Sequence, residues 1–120
     1  MVRRNAPRQG DVYWIDPNPV AGREMKGRHR FVVITSRQIN SLGVCMAVPI
    51  SSGGAFAREL GLCVMISGHD TTGVAVCNQV RGFDLDERVQ AGSAKYVESL
   101  DRDTTNEIVS KVLSIIDLQD

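Results

Sequence analysis

Much of what would mark a familiar enzyme class is missing from this chain. No P-loop, G-x-G-x-x-G or H-E-x-x-H pattern occurs, so no nucleotide or metal cofactor is implied. No apolar run is long enough to span a bilayer, and no apolar signal segment leads the chain. Cysteine occurs three times, at Cys45, Cys63 and Cys77, an odd number without C-x-x-C spacing. Each lies in an apolar run, and buried free thiols in a reducing cytoplasm are expected. Only His29 and His69 could join these scattered thiols, so no zinc site is expected. Internal repeats and linkers are also absent, which leaves 120 residues as one domain with a real core. Membrane association is not expected.

Net charge is zero, but its two signs are segregated. Up to Arg37 there are eight basic residues (Arg3, Arg4, Arg8, Arg23, Lys26, Arg28, Arg30, Arg37) against Asp11, Asp16 and Glu24. From Asp84 onward nine acidic residues face four basic ones. A basic face in a neutral chain suggests a polyanion or an acidic peptide as partner.

Residues 1–9 are polar and basic and read as a loosely ordered arm, with the domain proper at 10–120. Strands are expected over Asp11–Ile15, Phe31–Thr35, Val44–Ile50, Leu62–Ile66 and Val74–Cys77, rich in β-branched residues and separated by turn residues. Pro49 cannot donate to a ladder and should mark an end or an edge. Short helical turns fit Arg37–Ser41, capped by Ser36, and Asp84–Val89, with a further strand at Ala94–Glu98. Thr105, Ile108, Val109, Val112, Leu113 and Ile116 recur at helical spacing and predict an amphipathic helix over 102–117. The strands are apolar on both faces, so something must cover the sheet, and this helix is the natural cover. The fold class is mainly β, a small sandwich or barrel with short helices.

Between the first two strands lies a long loop carrying Arg23, Glu24, Lys26, Arg28, His29 and Arg30. Loops of this length in compact domains are commonly functional. Its parts suit metal-free cleavage of RNA, in which the substrate's 2′-hydroxyl attacks the adjacent phosphate. Glu24 is a candidate base, and His29 a candidate acid or base. Arg30 offers a planar fork for a phosphate. Ser51 offers a hydroxyl, and Gly53 and Gly54 let backbone amides approach phosphates. Asn78, Gln79 and Arg81 follow a core strand; the two amides either read base edges or bond to neighbouring backbone. His69 and Asp70 read as structural.

Taken together, Gly10-Asp11-Val12-Tyr13-Trp14, Asp16-Pro17, Gly22-x-Glu24, the arginine before Phe31-Val32-Val33, the stretch from Val48-Pro49-Ile50-Ser51-Ser52-Gly53-Gly54 to Phe56-Ala57-Arg58, Gly73-Val74 and Asn78-Gln79-Val80-Arg81 resemble the MazF/PemK/Kid family. The resemblance runs from Gly10 to the C-terminal helix. It implies an SH3-like β-barrel and a homodimeric, metal-independent endoribonuclease toxin of a type II toxin–antitoxin pair. Such toxins cut single-stranded mRNA at short sequences, leaving a 2′,3′-cyclic phosphate and a 5′-hydroxyl. The implied partners are RNA, a cognate antitoxin whose acidic disordered segment covers the active site, and operator DNA reached mainly through that antitoxin.

Carried over residue by residue, the family's loop arginine falls on Arg30 if one residue is inserted after Gly27, and on His29 otherwise. Arg30 is preferred because the apolar strand then stays in register. The family's threonine falls on Ser51, and its loop glutamate on Glu24. Contacts to RNA are implied for Arg23, Lys26, Arg28, Ser52, Gly53, Gly54, Phe56, Arg58, Asn78, Gln79 and Arg81. The Kid branch's catalytic arginine and aspartate correspond to Val76 and Asn78, and its loop histidine to Arg23, so the chemistry must rest on the loop and Ser51. Two alternatives stand beside this reading. One is a non-catalytic module of the same fold that binds nucleic acid or an acidic peptide. The other is a barrel toxin directed at topoisomerase.

Overall fold

The computed structural model describes residues 5–17, 21–25, 27–52 and 61–117. Seven strands form one antiparallel sheet: β1 (Asp11–Ile15), β2 (His29–Val33), β3 (Cys45–Ser51), β4 (Cys63–Ile66), β5 (Gly73–Val76), β6 (Arg81–Phe83) and β7 (Ala94–Ser99). Three helices accompany them among the described residues: α1 (Arg37–Asn40), α2 (Leu85–Gln90) and α3 (Arg102–Ile116). The strand order is β4-β5-β3-β2-β1-β7, with β6 added to β3.

The expected mainly β domain is present, with two corrections and one refinement. Strand β2 begins at His29 rather than Phe31 and ends at Val33 rather than Thr35. His29 and Arg30 pair with Ile15 and Trp14 of β1, so the ladder overrides their polar composition. Thr35 leaves the strand because its hydroxyl accepts from the Met46 amide and bonds to the Asn40 side chain. Second, β6 was not foreseen: three residues including Gly82 carry no readable period. Third, of the two places expected for Pro49, an end or an edge, it takes the edge and sits inside β3. It falls in a gap on the far edge of β3, where Cys45–Ala47 pair with β6 and Ile50–Ser51 pair with β5. The other strands and helices lie within one residue of their expected bounds.

Strand alternation divides the sheet into two packed faces. The first buries Val12, Val32, Val48, Ile50, Val64, Ile66 and Ala75 beneath Ile108 and Val112 of α3. The second buries Ile15, Phe31, Val33, Cys45 and Ala47 with Phe83, Leu85 of α2 and Ala94. Phe31 and Phe83 meet edge to face at 5.0 Å, an arrangement worth about 0.5–1.5 kcal/mol beyond area burial. Both faces are therefore covered, as continuous apolar strands require, and the C-terminal helix supplies one of the covers.

The tip of the β4–β5 hairpin returns to β7 through side chains, giving the sheet a barrel-like wrap. The Thr71 amide donates to Glu98 Oε2 at 2.5 Å. His69 lies 2.8 Å from Asp101 Oδ1 and 3.6 Å from Glu98 Oε1. Asp101 also caps α3 by accepting from the Thr104 amide at 3.0 Å. His69 is thus a structural residue. Residues 5–9 are tied down rather than loose: Ala6 is buried, its carbonyl accepts from Arg37, and the Pro7 carbonyl accepts from Asn40. Cys45 and Cys77 are buried, and burial pushes each thiol up to about 11, so both stay protonated and inert. Cys63 is only partly buried. No helix among the described residues is long and apolar enough to cross a membrane.

Candidate functional site

An open groove of about 340 Å³ is lined by Arg23, Glu24, Asn78, Gln79, Val80 and Arg81. One wall is the turn at 21–24. Its backbone closes from the Glu24 amide to the Ala21 carbonyl at 3.1 Å, and Glu24 Oε1 accepts from the Ala21 amide at 2.7 Å. The opposite wall follows β5. Gln79 joins the two: its Oε1 accepts from the Met25 amide at 3.1 Å, and its Nε2 donates to the Arg23 carbonyl at 3.4 Å. Of the two readings of this amide, bonding to neighbouring backbone is the one realised, and Gln79 fixes the loop that carries Glu24.

Arg81 enters the groove from β6. It donates to the Pro17 carbonyl at 2.7 Å, and its guanidinium lies 5.4 Å from the Phe83 ring centre. Arg88 of α2 lies over the same ring at 4.9 Å and donates to the Asp16 carbonyl at 2.8 Å. The chain that follows β1 is thus held by two arginines. A guanidinium has five donors, so one bond to Pro17 leaves Arg81 able to hold a phosphate.

The registers sort the remaining residues. Arg30 pairs with Ile50 and Phe31 with Pro49, so His29 and Ser51 come next on their strands, on the face of Phe31 and Pro49. Arg81 pairs with Ala47 and shares that face. Arg30 points to the other one. It donates to Thr71 Oγ1 at 2.9 Å and lies 5.1 Å over Trp14. The Thr71 hydroxyl and amide in turn hold the Glu98 carboxylate. Burial raises that group's pKa, but these bonds and the nearby His69 outweigh burial and hold it below its ordinary value.

Ser51 has a fixed position for a backbone reason. Gly73, at φ +129°, crosses so close to the Ser51 carbonyl that a Cβ would collide with it. Ser52 is exposed one residue beyond β3. Arg28 borders Trp14 and Lys95 rather than the groove. Lys26, Gly53, Gly54, Phe56 and Arg58 lie outside the described residues.

The arrangement therefore puts His29, Ser51 and Arg81 on one face of the sheet and Arg30 on the other, while Arg23, Glu24, Asn78, Gln79 and Arg81 line the groove. A carboxylate and guanidinium groups at the groove, with an imidazole and a hydroxyl on the sheet face that Arg81 shares, suit proton transfer and phosphate binding. Among the described residues no group of three or more His, Cys, Asp or Glu converges to hold a metal ion. Sequence reasoning passed over Thr71, Glu98 and Arg88. Each acts on a residue distant in the chain, and no local signal marks it.

Known proteins share this fold and sequence. The profile for the "PemK-like, MazF-like toxin of type II toxin-antitoxin system" matches residues 8–116. Endoribonuclease PemK of Escherichia coli is 30% identical, over 97% of this chain and 87% of its own length. MazF of Deinococcus radiodurans, a crystal structure, superposes with a TM-score of 0.77 at 25% identity, covering 92% of this chain and 96% of that one. An endoribonuclease in complex with its cognate antitoxin, from a mycobacterial species, superposes with a TM-score of 0.69 at 18% identity, covering 97% of this chain and 98% of that one. By the profile match over nearly its whole length and by its identity to PemK, this chain belongs to the PemK-like, MazF-like toxins of type II toxin–antitoxin systems.

Proposed function

We propose that this chain is a metal-independent endoribonuclease that cuts single-stranded RNA through attack of the 2′-hydroxyl on the adjacent phosphate, leaving a 2′,3′-cyclic phosphate and a 5′-hydroxyl. The observation that carries this reading is the register that puts His29 beside Ser51, on the face shared with Arg81. His29 and Glu24 divide the two proton transfers, a contribution of about 10²- to 10⁴-fold. The Ser51 hydroxyl and the Arg81 guanidinium take the charge that develops on the phosphorane. Asn78 and Arg23 contact nucleotides along the groove, and Gln79 keeps the loop in place. Lys26, Arg28, Ser52, Gly53, Gly54, Phe56 and Arg58 remain RNA contacts in this reading, as the family resemblance implies. Arg30 is engaged with Thr71 and Trp14, so the phosphate-holding role expected of it passes to Arg81, and His29 takes the position beside Ser51.

The same reading includes a homodimer in the cytoplasm, inhibited by a cognate antitoxin whose acidic segment lies over the groove. The cations Arg23 and Arg81 give such a segment its counter-charges. Operator DNA is bound mainly through the antitoxin.

The test is incubation of the purified protein with a long single-stranded RNA in EDTA, followed by mapping of the cut ends. Discrete cuts bearing cyclic phosphates are expected and would give the recognition sequence. A folded protein that binds this RNA without cutting it would be a non-catalytic module. A protein that leaves RNA untouched but inhibits topoisomerase would carry the third activity.

A further inference from the structure

Trp14 is the only tryptophan of the chain and lies on the face opposite His29 and Ser51. It pairs with Arg30 on one side and with Lys95 on the other. The Arg30 guanidinium, 5.1 Å from the ring centre, holds the indole in place. Beside the ring opens a second cavity of about 470 Å³, lined by Trp14, Arg28, Gly92, Ser93, Ala94 and Lys95. Its lining holds two cations and no carboxylate. Arg28 and Lys95 are exposed, and Trp14 is only partly buried. None of these side chains serves the groove on the other face.

We propose that this cavity is a second nucleotide subsite, in which an unpaired base of single-stranded RNA stacks on Trp14 while Arg28 and Lys95 hold the phosphates that flank it. The proposal rests on the ribonuclease reading above and extends it to a nucleotide outside the cleavage groove. An aromatic platform beside a cationic track is how single strands are held without base-specific hydrogen bonds. Unstacked bases of RNA are also commonly received on aromatic rings or guanidinium planes. The order fits: Arg28 borders this cavity, and His29, the next residue, turns to the opposite face, so the two sites flank the start of β2. A strand passing over the start of β2 would engage both.

The molecule carries its own probe, since all tryptophan emission comes from Trp14. We would titrate the protein with a short single-stranded RNA made entirely of 2′-O-methyl nucleotides, which lack the attacking hydroxyl. Saturable quenching of Trp14 emission is expected. Replacing one base by an abasic unit, position by position, should remove the quench at one register while leaving the phosphates unchanged. Trp14→Leu should weaken binding about tenfold, and Trp14→Phe much less. Lys95→Gln should weaken binding with a smaller salt dependence and an intact quench. Oligonucleotide binding without any change in emission, insensitive to abasic units, would overturn the proposal. So would quenching by an acidic peptide alone, which would assign the surface to a protein partner. If the protein cuts RNA yet shows no quench, only the subsite falls. If it neither binds nor cuts RNA, the ribonuclease reading falls with it.

Discussion

On one face of β2, Arg30 bonds to Thr71 and lies over Trp14, and Thr71 reaches on to Glu98 and from there to His69 and Asp101. On the other face, His29 stands beside Ser51, and Arg81, paired with Ala47, shares that face and lines an open groove. The two residues are adjacent in sequence and both are basic. The difference teaches that charge alone does not say which face of the sheet a residue serves. The first face spends its charges on joining the hairpin tip to β7 and to the cap of α3. The second carries an imidazole, a hydroxyl and a guanidinium, all only partly buried.

This contrast breaks most sharply under paired substitution. His29→Gln should lower RNA cleavage about 10²- to 10⁴-fold while leaving thermal unfolding nearly unchanged. Arg30→Gln should do the reverse, with a lower melting temperature and less than tenfold loss of rate in molecules that remain folded. The opposite ranking, measured by initial cleavage rates and thermal denaturation, would return the catalytic role to Arg30.

A second substitution probes the closed face alone. Thr71 is fully buried, and Thr71→Val keeps its shape but removes the acceptor for Arg30 and a donor to Glu98. Leaving those groups unsatisfied should cost about 1–3 kcal/mol, visible as a fall of several degrees in melting temperature. An unchanged melting temperature would mean that water replaces Thr71 without loss.

Salt sharpens the comparison from the other side. Each phosphate neutralised on a single strand should contribute about 0.7 log units of affinity per log unit of salt. Arg81→Gln should reduce that slope by about one phosphate's share, whereas Arg30→Gln should leave it nearly unaltered. Equal slopes for both variants would show that the groove is not the phosphate track.

The smallest effect is on acid stability. His69 first, then the Thr104 amide, hold the Asp101 carboxyl far below its ordinary value. A carboxyl depressed on folding contributes stability above its unfolded pKa of about 3.9 and loses that contribution as pH falls toward the folded value. Asp101→Asn should therefore flatten the loss of stability between about pH 4 and pH 2, followed by urea unfolding at each pH. An unchanged profile would show that the clasp adds nothing in acid.

Most of the fold was legible in the chain. Apolar β-branched runs bounded by turn residues marked five strands, and the spacing of Ile108 and Val112 marked the covering helix. Ser36 signalled its helix because a cap is a local device. Strand β6 was not legible, since a three-residue strand with a central glycine exists only through its pairing with β3. Glu24, His29, Ser51 and Arg81 were legible as candidate site residues, because such side chains at strand ends and in a long loop suggest chemistry. Which of them meet was not. Placing Arg30 ahead of His29 rested on strand register judged from apolar residues alone, whereas the ladder begins two residues earlier, at His29.

The sequence by itself determined the class of fold, the helix that covers the sheet, the residues from which a site is drawn and the family that they resemble. These follow from periodicity, turn chemistry and local capping, which act over a few residues. Only the tertiary structure decided that consecutive residues 29 and 30 serve opposite faces, that Gln79 braces the loop, and that Thr71 and Glu98 engage Arg30. Those outcomes depend on inter-strand register, and shifting a strand by one residue exchanges every side chain between its two faces.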